Sequence, residues 1–413
     1  MRILLVVDCY FPTTKSAPMH MHDLGLELQQ LGHDVTILVP SETVAGEFQV
    51  TEEDGLCILR VRTGRLKGAH RVLRGLREAR LASTLWSRGR NYLRSHPADL
   101  IVFYSPSIFF GPFIQRLKQL WHCPVYLVLR DIWPQFLLDI GAMRPGPVYS
   151  YFLKRAKEEY DCADFIGVQS PNDIDFFNSE YLGHRHRLEV LQNWISLDDS
   201  PLPPCNWRQQ LGLQDKVVFF YGGNFGMAQD LENVLRLAKA LEDQPEIFFL
   251  FVGSGSEEGT LQAGIKSLAL SNVRILPPVG PHEFAAMVSE FDVGLISLHP
   301  NFRVQNIPGK LMSYLYFSKP VLASVNPGND LLRIIPDNSA GFSCINGRDD
   351  ILRESALALA SDPRLRERFG GNGRKLLERD FSVRAVAQQI LSHFAQRPVE
   401  RAPAETHFAG DHR

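Results

Sequence analysis

The 413-residue chain has no apolar run approaching the roughly 20 residues that cross a bilayer. It has no surplus of either charge. Lys and Arg number 44 against 46 Asp and Glu, a formal charge of −2, without the basic excess of a nucleic-acid-binding domain. The six cysteines (Cys9, Cys57, Cys123, Cys162, Cys205, Cys344) form no close pairs, which fits reduced thiols better than disulfides or a zinc site. The opening Met-Arg-Ile-Leu-Leu-Val-Val-Asp reaches an acidic residue with no small-residue cleavage site behind it. It reads as a strand and not a signal peptide, so a cytoplasmic protein is expected. The loop Thr13–His22 after it holds no G-x-G-x-x-G, which argues against a dinucleotide fold.

What is present is a repeated alternation of short aliphatic runs and amphipathic stretches. Ile3–Val7, Val35–Val39, Ile58–Val61, Leu100–Phe103, Val125–Leu129, Phe165–Val168 and Leu188–Leu191 read as strands, separated by helical segments. One such helix runs through Leu24, Leu28 and Leu31 and ends at Gly32. A proline-bearing stretch with little periodicity, 198–214, reads as the interdomain connection. The alternation then restarts at Val217–Tyr221, Ile247–Val252, Val273–Leu276, Val293–Ile296, Val321–Ala323 and Gly341–Cys344, with helices expected near 350–360, 364–378 and 382–395. The length exceeds one ordinary core, so two α/β domains are predicted, 1–197 and 198–380, each a doubly wound parallel sheet binding ligands at the strand C-terminal ends. The charged, small-residue tail 397–413 is expected to be disordered.

Three segments of the second domain point to an anion. Pro308 suits the first turn of a helix, which places Gly309 and Lys310 at its positive end, and a lysine there adds a full charge to the helix dipole. Gly222, Gly223 and Asn224 follow one strand, and Gly253 and Ser254 follow another. Glycine turns of this kind let backbone amides approach a ligand and form an anion-binding concavity. A solvated lysine and ordinary tight turns fit the same letters singly. Their convergence on one sheet edge predicts a nucleotide-diphosphate site with Lys310 as its cation.

In the first domain Arg130-Asp131-Ile132-Trp133-Pro134 follows a strand at the same edge. Asp131 is a candidate base, Arg130 a candidate phosphate ligand and Trp133 a face for a sugar, with plain ion pairing as the alternative. His20 and His22 could reach that edge or be solvated. From Arg60 to Arg94 eleven basic residues meet one acid, Glu78. Arg71, Arg74 and Arg77 share a helical face, so this region is expected to meet an anionic membrane surface, with solvated surface or RNA as competing readings.

Arg-Asp-Ile-Trp-Pro at 130–134, Tyr-Gly-Gly-Asn-Phe-Gly-Met-Ala-Gln-Asp at 221–230, Phe-Val-Gly-Ser-Gly at 251–255 and Asn-Ile-Pro-Gly-Lys-Leu at 306–311 together resemble a bacterial family-4 glycosyltransferase of GT-B fold. Within that family the chain is similar to the fucosamine transferases of O-antigen and capsule assembly, over about residues 1–395. The resemblance implies two Rossmann-like domains facing across a cleft, with a helix at 381–396 returning to the first. It implies a UDP-sugar donor held by the second domain and a lipid-linked saccharide acceptor bound mainly by the first. It also implies retained anomeric configuration and neither metal nor other cofactor. Asn224 and Gln229 stand where the family commonly has Arg and Lys, which shifts the diphosphate charge onto Lys310. Gln305 and Ser313 replace a pair of glutamates, passing the ribose contact to Asp330, and Arg130 replaces a histidine. A UDP-sugar 2-epimerase of the same architecture and a non-catalytic nucleotide-sugar sensor remain as alternatives.

Overall fold

The computed structural model describes residues 1–12, 16–64, 77–105, 107–130, 132–139, 143–178, 186–197, 205–301 and 307–394. The predicted tail, the start of the predicted connection and Asp131 lie outside these residues. The strands are β1 (Arg2–Val6), β2 (Asp34–Ser41), β3 (Phe48–Glu53), β4 (Leu56–Arg62), β5 (Leu100–Ser105), β6 (Val125–Leu129), β7 (Phe165–Val168) and β8 (Leu188–Val190), in the order β3-β4-β2-β1-β5-β6-β7-β8. β5 and β6 are buried along their whole length, as parallel strands covered on both faces must be. The helix Ser16–Gln30 ends as its sequence predicts. Gly32 takes φ +84° and the His33 amide donates back to the Leu28 carbonyl at 3.1 Å.

The sequence reading had no counterpart for β3. Its residues Phe-Gln-Val-Thr-Glu-Glu leave most side chains partly or fully exposed, so no apolar run announces it. It pairs antiparallel with β4 through the two-residue loop Asp54-Gly55, both at positive φ. An Asp-Gly pair between strands is the local signal that could have found it.

The second sheet is wholly parallel: β9 (Val217–Asn224), β10 (Ile247–Ser254), β11 (Val273–Leu276), β12 (Val293–Ser297), β13 (Val321–Val325) and β14 (Gly341–Ile345), in the order β11-β10-β9-β12-β13-β14. Alternation sorts its side chains into two cores. Val218, Phe220, Leu250 and Ile296 join Leu311 and Tyr314 on one face, and Phe219, Tyr221, Phe249 and Phe251 join Leu235 and Leu359 on the other. The chain forms two compact units, one comprising Met1–Gly167 with the chain from Ala387, the other Leu188–Val386 with the stretch from Val168 before it. In the first unit His393 stacks on Phe165 at 4.0 Å between ring centres, and Phe394 meets the same ring edge-on.

Candidate donor site

In the second sheet β10 and β11 wind to one side of β9 while β12, β13 and β14 lie on the other. The crevice of a doubly wound sheet opens where the winding reverses, here beyond the ends of β9 and β12. Lys310 starts the helix Lys310–Tyr316 after β12 and leans back over that point. Its Nζ donates to the Tyr221 hydroxyl at 2.7 Å and lies 4.0 Å from the centre of that ring. The Tyr221 hydroxyl in turn donates to the Asn224 carbonyl at 2.8 Å. Burial lowers the Lys310 pKa from 10.5 to about 8, so at neutral pH the groove holds a largely protonated, poorly hydrated ammonium.

A groove of ≈ 590 Å³, open to solvent, is lined by Gly223, Asn224, Val252, Gly253, Ser254, Pro278, Val279 and Phe284. A methyl on Gly223 would lie 3.7 Å from Lys310 Cε, which puts the lysine stem at the groove wall. Four of the predicted ligand residues, Gly223, Asn224, Gly253 and Ser254, therefore gather beside Lys310. Gly309 precedes the helix with open space where a side chain would be. Asp330 follows β13, two strand positions from β9 and so about 10 Å along the sheet, and does not line the groove. Burial raises its pKa, and burial raises that of Asp173 as well, with a smaller push from the Asp330 charge. Asp173 belongs to an Asp-x-Asp run, Asp173-Ile174-Asp175, but closes a capping box by accepting from the Ser170 amide at 3.0 Å.

The glycines differ from their sequence reading. Gly222, Gly223 and Asn224 form no turn but continue β9, in register with Val252, Gly253 and Ser254 of β10. A Cβ on Gly222 would fall 2.3 Å from the Phe284 ring, and one on Gly253 1.8 Å from the Gly223 carbonyl oxygen. Packing thus accounts for both. The Gly222 amide is also engaged, donating to the Tyr314 hydroxyl at 3.3 Å. Gln229 accepts from the Gly226 amide at 3.1 Å, so that side chain serves the loop.

In the first unit Arg130 is buried at the end of β6. His20, which the sequence left undecided, sits 3.3 Å from the Tyr104 hydroxyl, and burial followed by the Arg130 charge lowers its pKa to about 4. It is a neutral imidazole at the C-terminal edge of the first sheet. Trp133 packs edge-on against Phe152 at 4.9 Å and is half-buried. Glu159 is fully buried, accepts from Ser105 at 3.4 Å and is held well above the ordinary carboxyl range by desolvation. Standing among Lys157, Glu158 and Asp161, it gave no sequence signal that sets it apart from a charged surface run. The predicted basic surface also needs correction at its start. Arg60 pairs with Glu53 and donates to Thr51 because β3 brings both opposite β4, and Arg62 donates to the Ala45 carbonyl. Arg71 and Arg74 lie outside the described residues.

A mixed α/β chain with two doubly wound sheets, the second wholly parallel and the first with an antiparallel edge strand β3, belongs to the GT-B class of glycosyltransferase folds. Residues 205–376 match the family "Glycosyl transferases group 1" and residues 17–194 the "Glycosyl transferase 4-like domain". Each span covers less than half of the chain; together with the relatives below they support a group 1 glycosyltransferase family. Over 227 residues it is 23% identical to a probable glycosyltransferase, WbjE, of Pseudomonas aeruginosa, covering 53% of this chain and 55% of that one. Over 239 residues it is 32% identical to the putative colanic acid biosynthesis glycosyl transferase WcaI of Escherichia coli K12, covering 52% and 55%. The matched region spans about half the length of these curated relatives. Among solved structures, Anabaena Alr3699/HepE in complex with UDP superposes with a TM-score of 0.65 at 15% identity, covering 96% of this chain and 100% of that one.

Proposed function

We propose that the chain transfers a sugar from a UDP-sugar donor, held in the groove of the second unit, to a lipid-linked saccharide in the assembly of a bacterial surface polysaccharide. The donor sugar is of the N-acetyl-fucosamine type, the anomeric configuration is retained and no metal ion takes part. The observation that carries this reading is the Lys310 ammonium, desolvated and fixed against the Gly223 wall where the winding of the second sheet reverses. Charge builds on the departing diphosphate as the glycosidic bond breaks, and a preorganised cation in a poorly hydrated site lowers that barrier most. The colanic acid assignment of WcaI and the UDP bound to HepE support the polysaccharide and the nucleotide. Gly222, whose amide is occupied, is given no part, and Asp330 acts at most on the ribose from a distance.

The acceptor is met at the inner face of the cytoplasmic membrane. No helix of the described residues is long and apolar enough to cross a membrane, and the contact we propose is a peripheral one. It is supported by the helix Pro147–Cys162, where Val148 and Tyr151 are exposed, with Arg144 and Lys154 near them in sequence; Arg155 is paired with Glu158 at 2.8 Å and is not counted.

Replacing Lys310 tests the donor reading. Lys310→Ala is expected to lose about 10²-fold or more in turnover while keeping its fold. Near-normal release of UDP by a folded variant rejects the role.

A further inference from the structure

We propose that Tyr221 is a positioning residue: its phenol fixes the Lys310 ammonium against the Gly223–Asn224 backbone, so one buried side chain sets the distance between the groove's cation and its peptide groups. This rests on the reading of the groove as a diphosphate site.

Tyr221 has no exposed surface, so it cannot touch a ligand and acts only through its neighbours. Its oxygen accepts from Nζ and donates to the Asn224 carbonyl, which uses the hydroxyl in both senses and aligns the two bonds in series. The ring beneath Nζ adds an attraction for the charge that a saturated side chain would not. An ammonium has three donors, and this arrangement commits one. Without it, the flexible four-carbon stem would leave the charge to wander. Tyr314, one helical turn beyond Lys310, braces the same point from below. Its hydroxyl accepts from the Gly222 amide and reaches the Phe220 and Leu295 carbonyls at 3.2 Å, where β9 and β12 part. The ionisable groups beside the ammonium are thus Tyr221 from β9 and Tyr314 from its own helix. Among the described residues no carboxylate bears on its protonation.

The test uses the full chain and has two readouts. The Lys310 Cε resonance is titrated by NMR without ligand in the wild type and in Tyr221→Phe. UDP affinity is measured by calorimetry from neutral pH to about 9.5 in both, in Lys310→Met and in the double variant. Phe keeps the ring and removes the acceptor, so the ammonium should give up its proton at lower pH, and the alkaline fall in UDP affinity should move down with it. UDP binding at pH 7 should weaken about tenfold, as expected for a hydrogen bond to a charged group. In the Lys310→Met background the same change should cost nothing more. An unmoved titration overturns the proposal. So does an equal loss in the Met background, which would reveal a packing effect. If the wild type binds no UDP at any pH the diphosphate reading falls, while the resonance titration still decides whether Tyr221 holds Lys310.

Discussion

At the scale of single residues, the proposed donor site places a charge where water is scarce, and this has a measurable consequence for stability. Burial lowers the Lys310 pKa from 10.5 to about 8. Between those values the unfolded chain binds more protons than the folded one, so this group's contribution to stability rises with pH across that window. Below pH 8 the full cost of the buried ammonium is carried, on the order of 3 kcal/mol. Lys310→Met should therefore unfold at higher denaturant concentration than the wild type. The gap should be widest below pH 8 and close towards pH 10.5. A constant gap across that range would mean that the ammonium is not desolvated. A stabilised variant without turnover is what a functional charge predicts, because a residue kept for folding alone would not destabilise the fold.

At the scale of elements, the glycines of β9 and β10 serve packing first. Gly222 faces the Phe284 ring, whose atoms lie at the end of a side chain, whereas Gly253 takes φ +156° and faces the Gly223 carbonyl, which is backbone. The two should respond differently to the same added methyl. Gly222→Ala should cost about 1 to 3 kcal/mol by overpacking and be partly restored by Phe284→Leu, since the obstacle can be shortened. Gly253→Ala should cost more and not be rescued by Phe284→Leu. Denaturant unfolding of the four variants decides this, and equal costs at both sites would refute the packing argument. The sequence reading recognised these glycines as special but placed them in turns, where the structure has strand. A glycine needed for a tight turn, for ligand approach or for a neighbouring ring looks the same in the chain. Lys310 was legible because proline, glycine and lysine at a helix start are a local pattern. Tyr221 was not, because its partner is 89 positions away.

At the scale of the whole molecule, the proposed acceptor requires a chain with no spanning helix among its described residues to work at a lipid surface. The exposed Val148 and Tyr151, flanked by Arg144 and Lys154, predict flotation with vesicles containing phosphatidylglycerol and not with neutral vesicles. Tyr151→Glu combined with Lys154→Glu should reduce recovery about tenfold or more, given roughly 1 kcal/mol per basic residue near such a surface. Equal recovery on both vesicle types would count against the membrane contact. The sequence had assigned that contact to Arg60–Arg94, and Arg60 is instead spent on Glu53 of the adjacent strand. A charge count cannot tell a free guanidinium from one paired across a hairpin, and the hairpin itself was the strand that composition failed to announce.

The linear chain by itself determined the alternation of strands and helices, and with it two doubly wound sheets, because periodicity and turn residues act over a few positions and survive any tertiary context. It also determined that a lysine would stand at a helix start beyond the second sheet's fourth strand. The tertiary structure alone decided where that lysine points, which amides remain free and which glycines are packing surfaces. Each of those depends on side chains distant in sequence meeting where the sheet's winding reverses, and no local signal encodes such a meeting.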